Sequence, residues 1–378
     1  MSNWTETKFT RLLTIPYPII QGPFGRGGSS VLLAATVSNA GGLGSFGAND
    51  QGPSDIIKIA ADIRKRTDKP FGMNLWVSTY DAGGETLTIE TYERVTKLLE
   101  PYYKELKVEI PSMPSSKPQN FSDQVAALIE AHPAVFSFVF GIPSPKILRT
   151  CREKGIVTVG AATTVDEALA CEQAGVDCVA ASGFEAGGHR PSFLKPADES
   201  LIGTFALVPQ VADKVKIPVI ATGGIADGRG IVAALTLGAN AVQIGTAFLA
   251  CDESGASELH RKLLFQDEAR NTGLSRAFTG RLARSIYHRF ASEMKMHEPF
   301  FAKYPAHSWI VAPLRAAALT QGRHDLISLW AGQAAPLCRH HKAVELFASL
   351  VRETDELLKD RDASLLGDSP TVSRNIPS

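Results

Sequence analysis

A glycine-rich segment around a single histidine offers the clearest chemistry in the sequence. Residues 183–190 read Gly-Phe-Glu-Ala-Gly-Gly-His-Arg and follow Cys178–Ser182, a short apolar run that predicts a buried strand. In a barrel of alternating strands and helices the carboxyl ends of the strands carry the reactive groups, and adjacent glycines let a ligand approach the backbone closely. His189 is therefore the first candidate for a general acid or base, since imidazole exchanges a proton near neutral pH. The alternative is a solvated histidine in a simple turn.

Two further glycine pairs predict where a phosphate binds. Thr222-Gly223-Gly224-Ile225 and Gly245-Thr246-Ala247 each follow an apolar run. In barrels, the loops after the last two strands commonly bind phosphate through free backbone N–H groups and a helix N-terminus. Glycines that only permit tight turns are the alternative, but two pairs at the expected places favour a phosphorylated ligand.

Eight apolar runs, separated by helical stretches, must position these residues. The runs are residues 18–22, 43–46, 70–76, 135–141, 156–159, 178–182, 218–222 and 241–245. Runs that are apolar on both faces predict parallel pairing. Eight such units predict an α/β fold of the (β/α)8 TIM-barrel type. A doubly wound sheet is the competing arrangement, but no G-x-G-x-x-G turn follows the first run.

The segments outside this rhythm predict a C-terminal helical cap subdomain. Helices are predicted at 30–39 and at 54–66 with Ser54 as N-cap. A long insertion occupies about 79–122, and after Cys251 the strand rhythm stops. Helices are then predicted at 258–268, 313–320, 325–330 and 343–358. We predict a barrel domain over 1–255 and about 324–378, with the cap over about 256–323.

Composition excludes several classes of partner. The 39 basic and 39 acidic side chains leave no net charge, which argues against nucleic acid and anionic membranes. The five cysteines are scattered and include no C-x-x-C pair, so we expect no disulfide framework and no bound metal. The first residues lack an apolar signal core and no run approaches about 18 apolar residues, which predicts a cytoplasmic protein.

Seven motifs together resemble the FMN-dependent nitronate monooxygenases, formerly called 2-nitropropane dioxygenases. They are Pro-Ile-Ile-Gln-Gly-Pro at 18–23, Ser-Asn-Ala-Gly-Gly-Leu-Gly at 38–44, Asn-Leu at 74–75, Phe-Glu-Ala-Gly-Gly-His-Arg at 184–190, Ala-Thr-Gly-Gly-Ile at 221–225, Ala-Val-Gln-Ile-Gly-Thr-Ala-Phe at 241–248 and Trp-Ala-Gly-Gln at 330–333. The set is more specific for the flavin barrel than for the reaction, because the same family includes a flavin enoyl-thioester reductase and quinone reductases.

The resemblance implies an FMN site and a catalytic base. It implies that the FMN phosphate binds at Gly223, Gly224, Gly245 and Thr246, and that His189 is the base. Further implied contacts to the cofactor come from Pro23, Phe24, Asn74, Ser182, Gly187, Gly188, Gln243, Gly332 and Gln333. The chemistry agrees, because an amide side chain can hydrogen-bond the pyrimidine edge of a flavin.

The sequence departs from the family pattern where a substrate would lie. Phe24 stands where methionine is common, Val139 where a histidine is often found, and Ser308 and Ala312 where some members have tyrosine and lysine. The implied substrate contacts are Phe24, Val139, His189, Tyr304 and Ser308. Loss of polar groups at a pocket wall predicts a ligand that differs from the usual nitronate.

Other charged residues near these motifs allow two interpretations each. Glu185 could orient His189, but a carboxylate in such a loop more often caps a turn or pairs with Arg190. Arg281 and Arg284 could assist anion binding or form surface ion pairs.

Three functions remain open from the sequence. The leading hypothesis is an FMN-dependent oxidoreductase that oxidises a nitronate, nitroalkane or similar acidic carbon compound with O2. The second is an NAD(P)H-dependent flavin reductase of an activated alkene or quinone, in which His189 donates a proton. The third is a non-catalytic FMN-binding accessory protein. We expect a small-molecule substrate and a monomer or homodimer.

Overall fold

The centre of the protein is a barrel of eight parallel strands. The structure, a computed structural model, describes residues 4–77, 87–114 and 119–366. The barrel strands are β1 (Ile19–Gln21), β2 (Gly44–Gly47), β3 (Phe71–Trp76), β4 (Val135–Val139), β5 (Val157–Ala162), β6 (Cys178–Ser182), β8 (Val219–Thr222) and β9 (Ala241–Ile244). Each overlaps one of the eight predicted runs, although β2 and β5 extend beyond the predicted ends at 46 and 159.

Hydrogen bonds between the first two strands close the ring. The strand order is β1-β9-β8-β6-β5-β4-β3-β2. Between its two ends, the Gln21 N–H donates to the Leu43 carbonyl at 3.0 Å and the Leu43 N–H donates to the Ile19 carbonyl at 2.9 Å. The predicted TIM barrel is therefore confirmed, and the doubly wound alternative is excluded.

Two apolar layers explain why the strands are apolar on both faces. Alternate side chains such as Ile20, Val159 and Ile220 fill the barrel interior, which the first helix closes with Phe9. The intervening side chains, Met73 among them, pack outward against the surrounding helices. Because a strand alternates its side chains between faces, both sets must be apolar when both faces are buried.

Helices surround the barrel and extend beyond it. They are α1 (Lys8–Leu13), α2 (Val31–Asn39), α3 (Pro53–Arg64), α4 (Ile89–Leu106), α5 (Phe121–Ala131), α6 (Pro145–Glu153), α7 (Val165–Ala174), α8 (Thr204–Ala212), α9 (Gly228–Thr236), α10 (Thr246–Leu249), α11 (Glu258–Leu263), α12 (Arg289–Glu293), α13 (Ala306–Thr320) and α14 (Ala343–Leu366). The Ser54 cap prediction is wrong, because α3 begins at Pro53 with Gly52 at the N-cap. No helix of the described residues is both long and apolar enough to span a membrane.

A second apolar core lies outside the barrel. It joins Val95, Leu99 and Tyr103 of α4 to residues of α12, α13 and the segments between them, including Phe290 and Ile310. The insertion therefore contributes a helix to the cap, although its residues 78–86 and 115–118 lie outside the described ranges. The exact division between barrel and cap stays a prediction.

The strand rhythm of the barrel stops before Cys251 as predicted, but two short strands that the sequence did not predict follow it. Strands β10 (Thr272–Ser275) and β11 (Ala283–Ile286) pair antiparallel, and β11 also pairs with β7 (Gly188–His189). The predicted helix at 325–330 is wrong. Its start is a short 3₁₀ turn over His324–Leu326, and Trp330 then forms a β-bridge with Ser285. These strands have four residues or fewer, and their partners are distant in the sequence. The local periodicity of the sequence therefore does not predict them.

Candidate active site

A cavity of about 620 Å³ opens at the carboxyl ends of the barrel strands. Its volume falls in the range that holds a cofactor or a drug-sized ligand. The predicted site residues in its wall are Pro23, Phe24, Asn74, Val139, Ser182, Gly187, Gly188, His189, Gly223, Gly224, Gln243, Gly245, Thr246 and Gly332. The remaining three, Tyr304, Ser308 and Gln333, are not part of the lining.

The turns after β8 and β9 form a cradle for an anion. Gly223 and Gly224 adopt φ values of +107° and +72°, in the left-handed region that glycine favours. In the described part of the chain, no protein acceptor takes the N–H of either residue. The Thr222 hydroxyl is also buried without a partner, and Thr246 accepts the Gly332 N–H at 2.9 Å, so its own proton can point to a ligand. Free donors around an open turn fit a phosphate group.

Glu185 supports this cradle rather than the histidine. Its carboxylate accepts the N–H of Thr204 at 2.9 Å and the Thr204 hydroxyl at 2.9 Å, which caps the start of α8. The Thr204 hydroxyl also lies 3.0 Å from the Gly223 carbonyl. The turn-capping interpretation of Glu185 is thus confirmed. Arg190 instead donates to the backbone carbonyls of Ser182 and Gly183.

Two amide side chains, those of Asn74 and Gln243, also line the cavity. Asn74 donates through Nδ2 to the Ser137 hydroxyl at 3.0 Å, which fixes the orientation of its amide. Gln243 also lines the cavity from β9. The loop that carries Phe24 follows β1, next to β9, and is held by Ser29, whose hydroxyl accepts the Phe24 N–H at 2.9 Å. A phosphate cradle and amide side chains would supply hydrogen bonds to a flavin mononucleotide, and an apolar side would pack against its flat ring.

His189 is positioned by the small antiparallel sheet. It lies on β7 opposite Ala283 of β11. Its Nε2 atom lies 2.9 Å from the hydroxyl of Thr279, which is 1% exposed. The Arg281 N–H donates to the same hydroxyl at 3.2 Å. The imidazole is therefore held at Nε2, and this fixes the ring's orientation.

Burial sets the protonation state of His189. The partly buried position of the ring lowers its pKa to about 3, and the positive charges of Arg26 and Arg315 act in the same direction. A histidine with so low a pKa is neutral at physiological pH and has a lone pair that can accept a proton.

Aromatic rings that sequence reasoning missed surround this histidine. Ring centroids of Trp76 and Trp330 lie 5.1 and 5.3 Å from that of His189, and Phe140 lies at 6.3 Å. All three line the cavity. Trp76 follows the Asn74 motif by two residues on the same face of β3, so strand periodicity could have identified it. Trp330 could not be identified in this way, because its segment was predicted to be a helix.

The two arginines of β11 and its preceding turn contact aromatic rings and a backbone carbonyl. The Arg281 guanidinium lies 3.8 Å from the centroid of Phe140 and 4.5 Å from that of Tyr304. Arg284 is buried and donates to the Phe184 carbonyl at 3.0 Å. Tyr304 therefore packs against the Arg281 guanidinium and is not part of the cavity lining.

Ser308 does not contact the cavity. It lies on α13 and is 1% exposed within the cap. The cavity-facing residues of this helix are Ala312, Arg315, Ala316 and Leu319, at the spacing of one helical face. Gln333 is exposed, and only its backbone N–H reaches back, to the Glu185 carbonyl at 2.9 Å.

Comparison with known proteins identifies the family from sequence and finds solved structures with the same fold. The family model described as nitronate monooxygenase matches residues 6–353. Proteins of Staphylococcus aureus strains MSSA476 and MRSA252, both called probable nitronate monooxygenase, are 39% identical over 94% of this chain and 99% of their own. A nitroalkane oxidase from Streptomyces ansochromogenes is 35% identical with a TM-score of 0.86, covering 93% of this chain and 99% of that one. FabK from Thermotoga maritima is 30% identical with a TM-score of 0.72, covering 95% and 99%.

Proposed function

We infer the reaction from one premise, which is that the chain belongs to the nitronate monooxygenase family and is therefore an oxidoreductase. This family is flavin-dependent in general. We propose that the cofactor is FMN and that the protein oxidises a nitronate or nitroalkane, with dioxygen as electron acceptor. The single observation that carries the proposal is a neutral, oriented histidine in the same cavity as a free phosphate cradle.

The chain's own residues would bind and orient the cofactor. Gly223, Gly224, Gly245 and Thr246 would hold its phosphate through backbone N–H groups and one hydroxyl. Asn74 and Gln243 would hydrogen-bond the ring or ribityl chain, and Phe24 would lie along the ring. When bound, FMN supplies the electron transfer, while the protein supplies position and electrostatics.

His189 would remove the proton of a neutral nitroalkane. Its Nε2–H would donate to the Thr279 hydroxyl, which in turn donates to the Arg281 carbonyl at 3.3 Å, so the lone pair on Nδ1 would take the proton from the substrate carbon. The surrounding rings exclude water from this step, and the neutral imidazole requires no prior deprotonation. A nitronate that is already an anion would need binding and orientation but no base.

We expect Thr279→Val to weaken catalysis without loss of flavin. The change removes the hydroxyl that orients His189 and keeps the side-chain shape, so kcat with a neutral nitroalkane should fall by about 3- to 10-fold, the usual value of one hydrogen bond. Thr279→Ser retains the hydroxyl and should keep near wild-type activity. Steady-state kinetics of both variants give the measurement. Equal activity of Thr279→Val and wild type would remove Thr279 from the mechanism.

Two substitutions on α13 should have opposite kinds of effect. Ala312→Lys places an ammonium group in the cavity and should change substrate preference, with a stability change below about 1 kcal/mol. Ser308→Tyr overpacks a buried position and should cost about 1–3 kcal/mol of unfolding free energy. Thermal unfolding and relative kcat/KM for two nitronates separate these outcomes. Thr320→Lys, which adds the same charge at an exposed site, is the control. Unchanged preference in Ala312→Lys contradicts the assignment of this wall to substrate.

Cofactor and reaction are tested together on the purified protein. Flavin released by heat should be FMN by mass, and propyl nitronate should drive oxygen consumption that depends on enzyme concentration. NADPH with a quinone is the parallel assay for the reductase hypothesis. Release of FAD, or turnover with NADPH alone, contradicts the proposal. Bound FMN with no turnover in either assay supports the accessory-protein alternative instead.

A further inference from the structure

One cation contacts three aromatic rings beside His189. The guanidinium carbon of Arg281 lies 3.8 Å from the ring centroid of Phe140 and 4.5 Å from that of Tyr304. It lies 5.8 Å from that of Trp76. We propose that Arg281 is a positioning residue, whose guanidinium holds these three rings together against the histidine. This inference rests on the proposed function, because it concerns the base of that same reaction.

The three rings belong to different parts of the fold. Trp76 is the last residue of β3, Phe140 directly follows β4, and Tyr304 lies in the cap just before α13. The ring centroid of Trp76 lies 5.0 Å from that of Phe140 and 5.5 Å from that of Tyr304, so the indole contacts both. Arg281 comes from the turn before β11. Its guanidinium therefore joins two barrel strands to the cap at one point.

The same rings enclose one side of the imidazole. The ring centroid of His189 lies 5.1 Å from that of Trp76, and it lies 6.3 Å from those of Phe140 and Tyr304. Trp76 and Phe140 line the cavity, whereas Arg281 and Tyr304 are not among its described lining residues. Arg281 therefore affects the histidine through the rings rather than by contact with a ligand.

The chemistry of the contact favours a stable arrangement. Burial lowers the pKa of Arg281 to about 10, so its guanidinium is still charged at neutral pH. The face of an aromatic ring carries partial negative charge and attracts a planar cation, more strongly where water is excluded. Phe140, which has the nearest of the three rings, holds a φ of +66°. That conformation is uncommon for a residue with a side chain and persists only where its surroundings stabilise it.

The backbone of Arg281 makes a separate contribution to the same histidine. Its N–H donates at 3.2 Å to the Thr279 hydroxyl, which lies 2.9 Å from Nε2 of His189. A substitution of the side chain leaves this backbone N–H in place. Side-chain variants of Arg281 therefore test the ring contacts alone.

The protonation of His189 in R281M gives the main test. Methionine has a similar length but lacks the charge and the planar group, so we expect the rings to separate and water to reach the imidazole. Loss of a nearby positive charge acts in the same direction, while the charges of Arg26 and Arg315 remain. Wild type should show no midpoint above about pH 5, whereas R281M should titrate nearer the ordinary value of about 6.5. NMR titration of the flavin-bound protein measures it, with the signal assigned by its absence from His189→Asn.

Three further variants show whether the rings are the cause. R281K keeps the charge without the planar group and should give an intermediate pKa. Y304L removes one ring from the cap side and should also raise the pKa of His189, so it provides the test if R281M does not fold. R64M is the matched control. It removes a guanidinium that lies 5.4 Å from the ring of Phe71, and neither residue lines the cavity, so its titration should match wild type.

Kinetics give a second readout. With 1-nitropropane near neutral pH, R281M should lose about 3- to 10-fold in kcat/KM, the equivalent of one cation–π contact. The loss should be smaller with propyl nitronate, which needs no base.

Two titration results would overturn the inference. R281M and Y304L with the pKa of wild type would show that the rings do not depend on Arg281. R281K with the pKa of wild type would show that charge alone is sufficient. A raised pKa in R281M, in a protein whose wild type turns over neither substrate, would contradict the proposed function and support the role of Arg281.

Discussion

Gly224→Asp is expected to give a folded protein that purifies without flavin. The new carboxylate would stand in the turn to which the phosphate is assigned, next to N–H groups that have no other acceptor. An added Cβ meets only the Glu185 side chain, with Cβ at 3.6 Å and Cγ at 3.8 Å, which are ordinary contacts, so the substitution does not clash with the barrel. Two like charges in a partly desolvated turn repel strongly, and flavin occupancy should fall close to zero. The ratio of flavin absorbance to protein absorbance measures it.

Backbone strain needs its own control in this experiment, because Gly224 has a positive φ. Gly155→Asp introduces the same residue at φ +67° with no neighbour within 4 Å of the new Cβ atom, at the opposite end of the barrel. It should keep its full flavin content. Gly245→Val tests the cradle by bulk alone, since its Cβ atom points at Phe24 at 3.8 Å and its φ is ordinary. A folded Gly224→Asp protein with wild-type flavin content would show that the phosphate lies elsewhere.

His189→Asn is expected to separate two classes of substrate. Turnover of a neutral nitroalkane should fall by about 10²–10⁴-fold, the usual contribution of a general base. Turnover of a pre-formed nitronate should fall much less, because no proton is removed from carbon. Flavin content should not change, since the phosphate cradle is made by other residues. Parallel kinetics with 1-nitropropane and propyl nitronate give the comparison, and equal losses with both would make His189 a binding residue.

The pH dependence follows from the same histidine. Burial holds the pKa of His189 at about 3, so the free imidazole is already deprotonated across the range of about pH 5 to 8. As the pH falls through this range, the kcat/KM for a neutral nitroalkane should therefore stay level. In particular, it should not drop at a pH near the ordinary histidine pKa. If the kcat/KM of the wild type instead fell at a pH near the ordinary histidine pKa, and that of His189→Asn did not, the imidazole would be more hydrated than its surroundings indicate.

The barrel was predictable from sequence because each strand is short, apolar on both faces and followed by a helix. The glycine turns at Gly223 and Gly245 were predictable for a related reason, since the function proposed for them depends on backbone geometry and on their place after a strand. His189 was found through its glycine neighbours. In each of these cases the informative residues are adjacent in the chain.

The cap was less predictable because its contacts are distant in sequence. Strand β7 carries the histidine but has two residues, and it exists only because β11 pairs with it about a hundred residues later. Trp330 forms a β-bridge with Ser285 and packs against His189, whereas the sequence pattern predicted a helix in this segment. Ser308 matched a family position by alignment, yet the burial of its turn of α13 removes it from the cavity. Arg315 lies one turn beyond the aligned position at Ala312, and only the folded helix shows that it faces the cavity.

Anaerobic mixing of the purified protein with one electron donor at a time tests the central claim most directly. We predict that propyl nitronate bleaches the visible flavin bands rapidly, that NADPH does not, and that air restores the colour. Bleaching by NADPH alone would contradict the account and identify the protein as a flavin reductase on the same barrel.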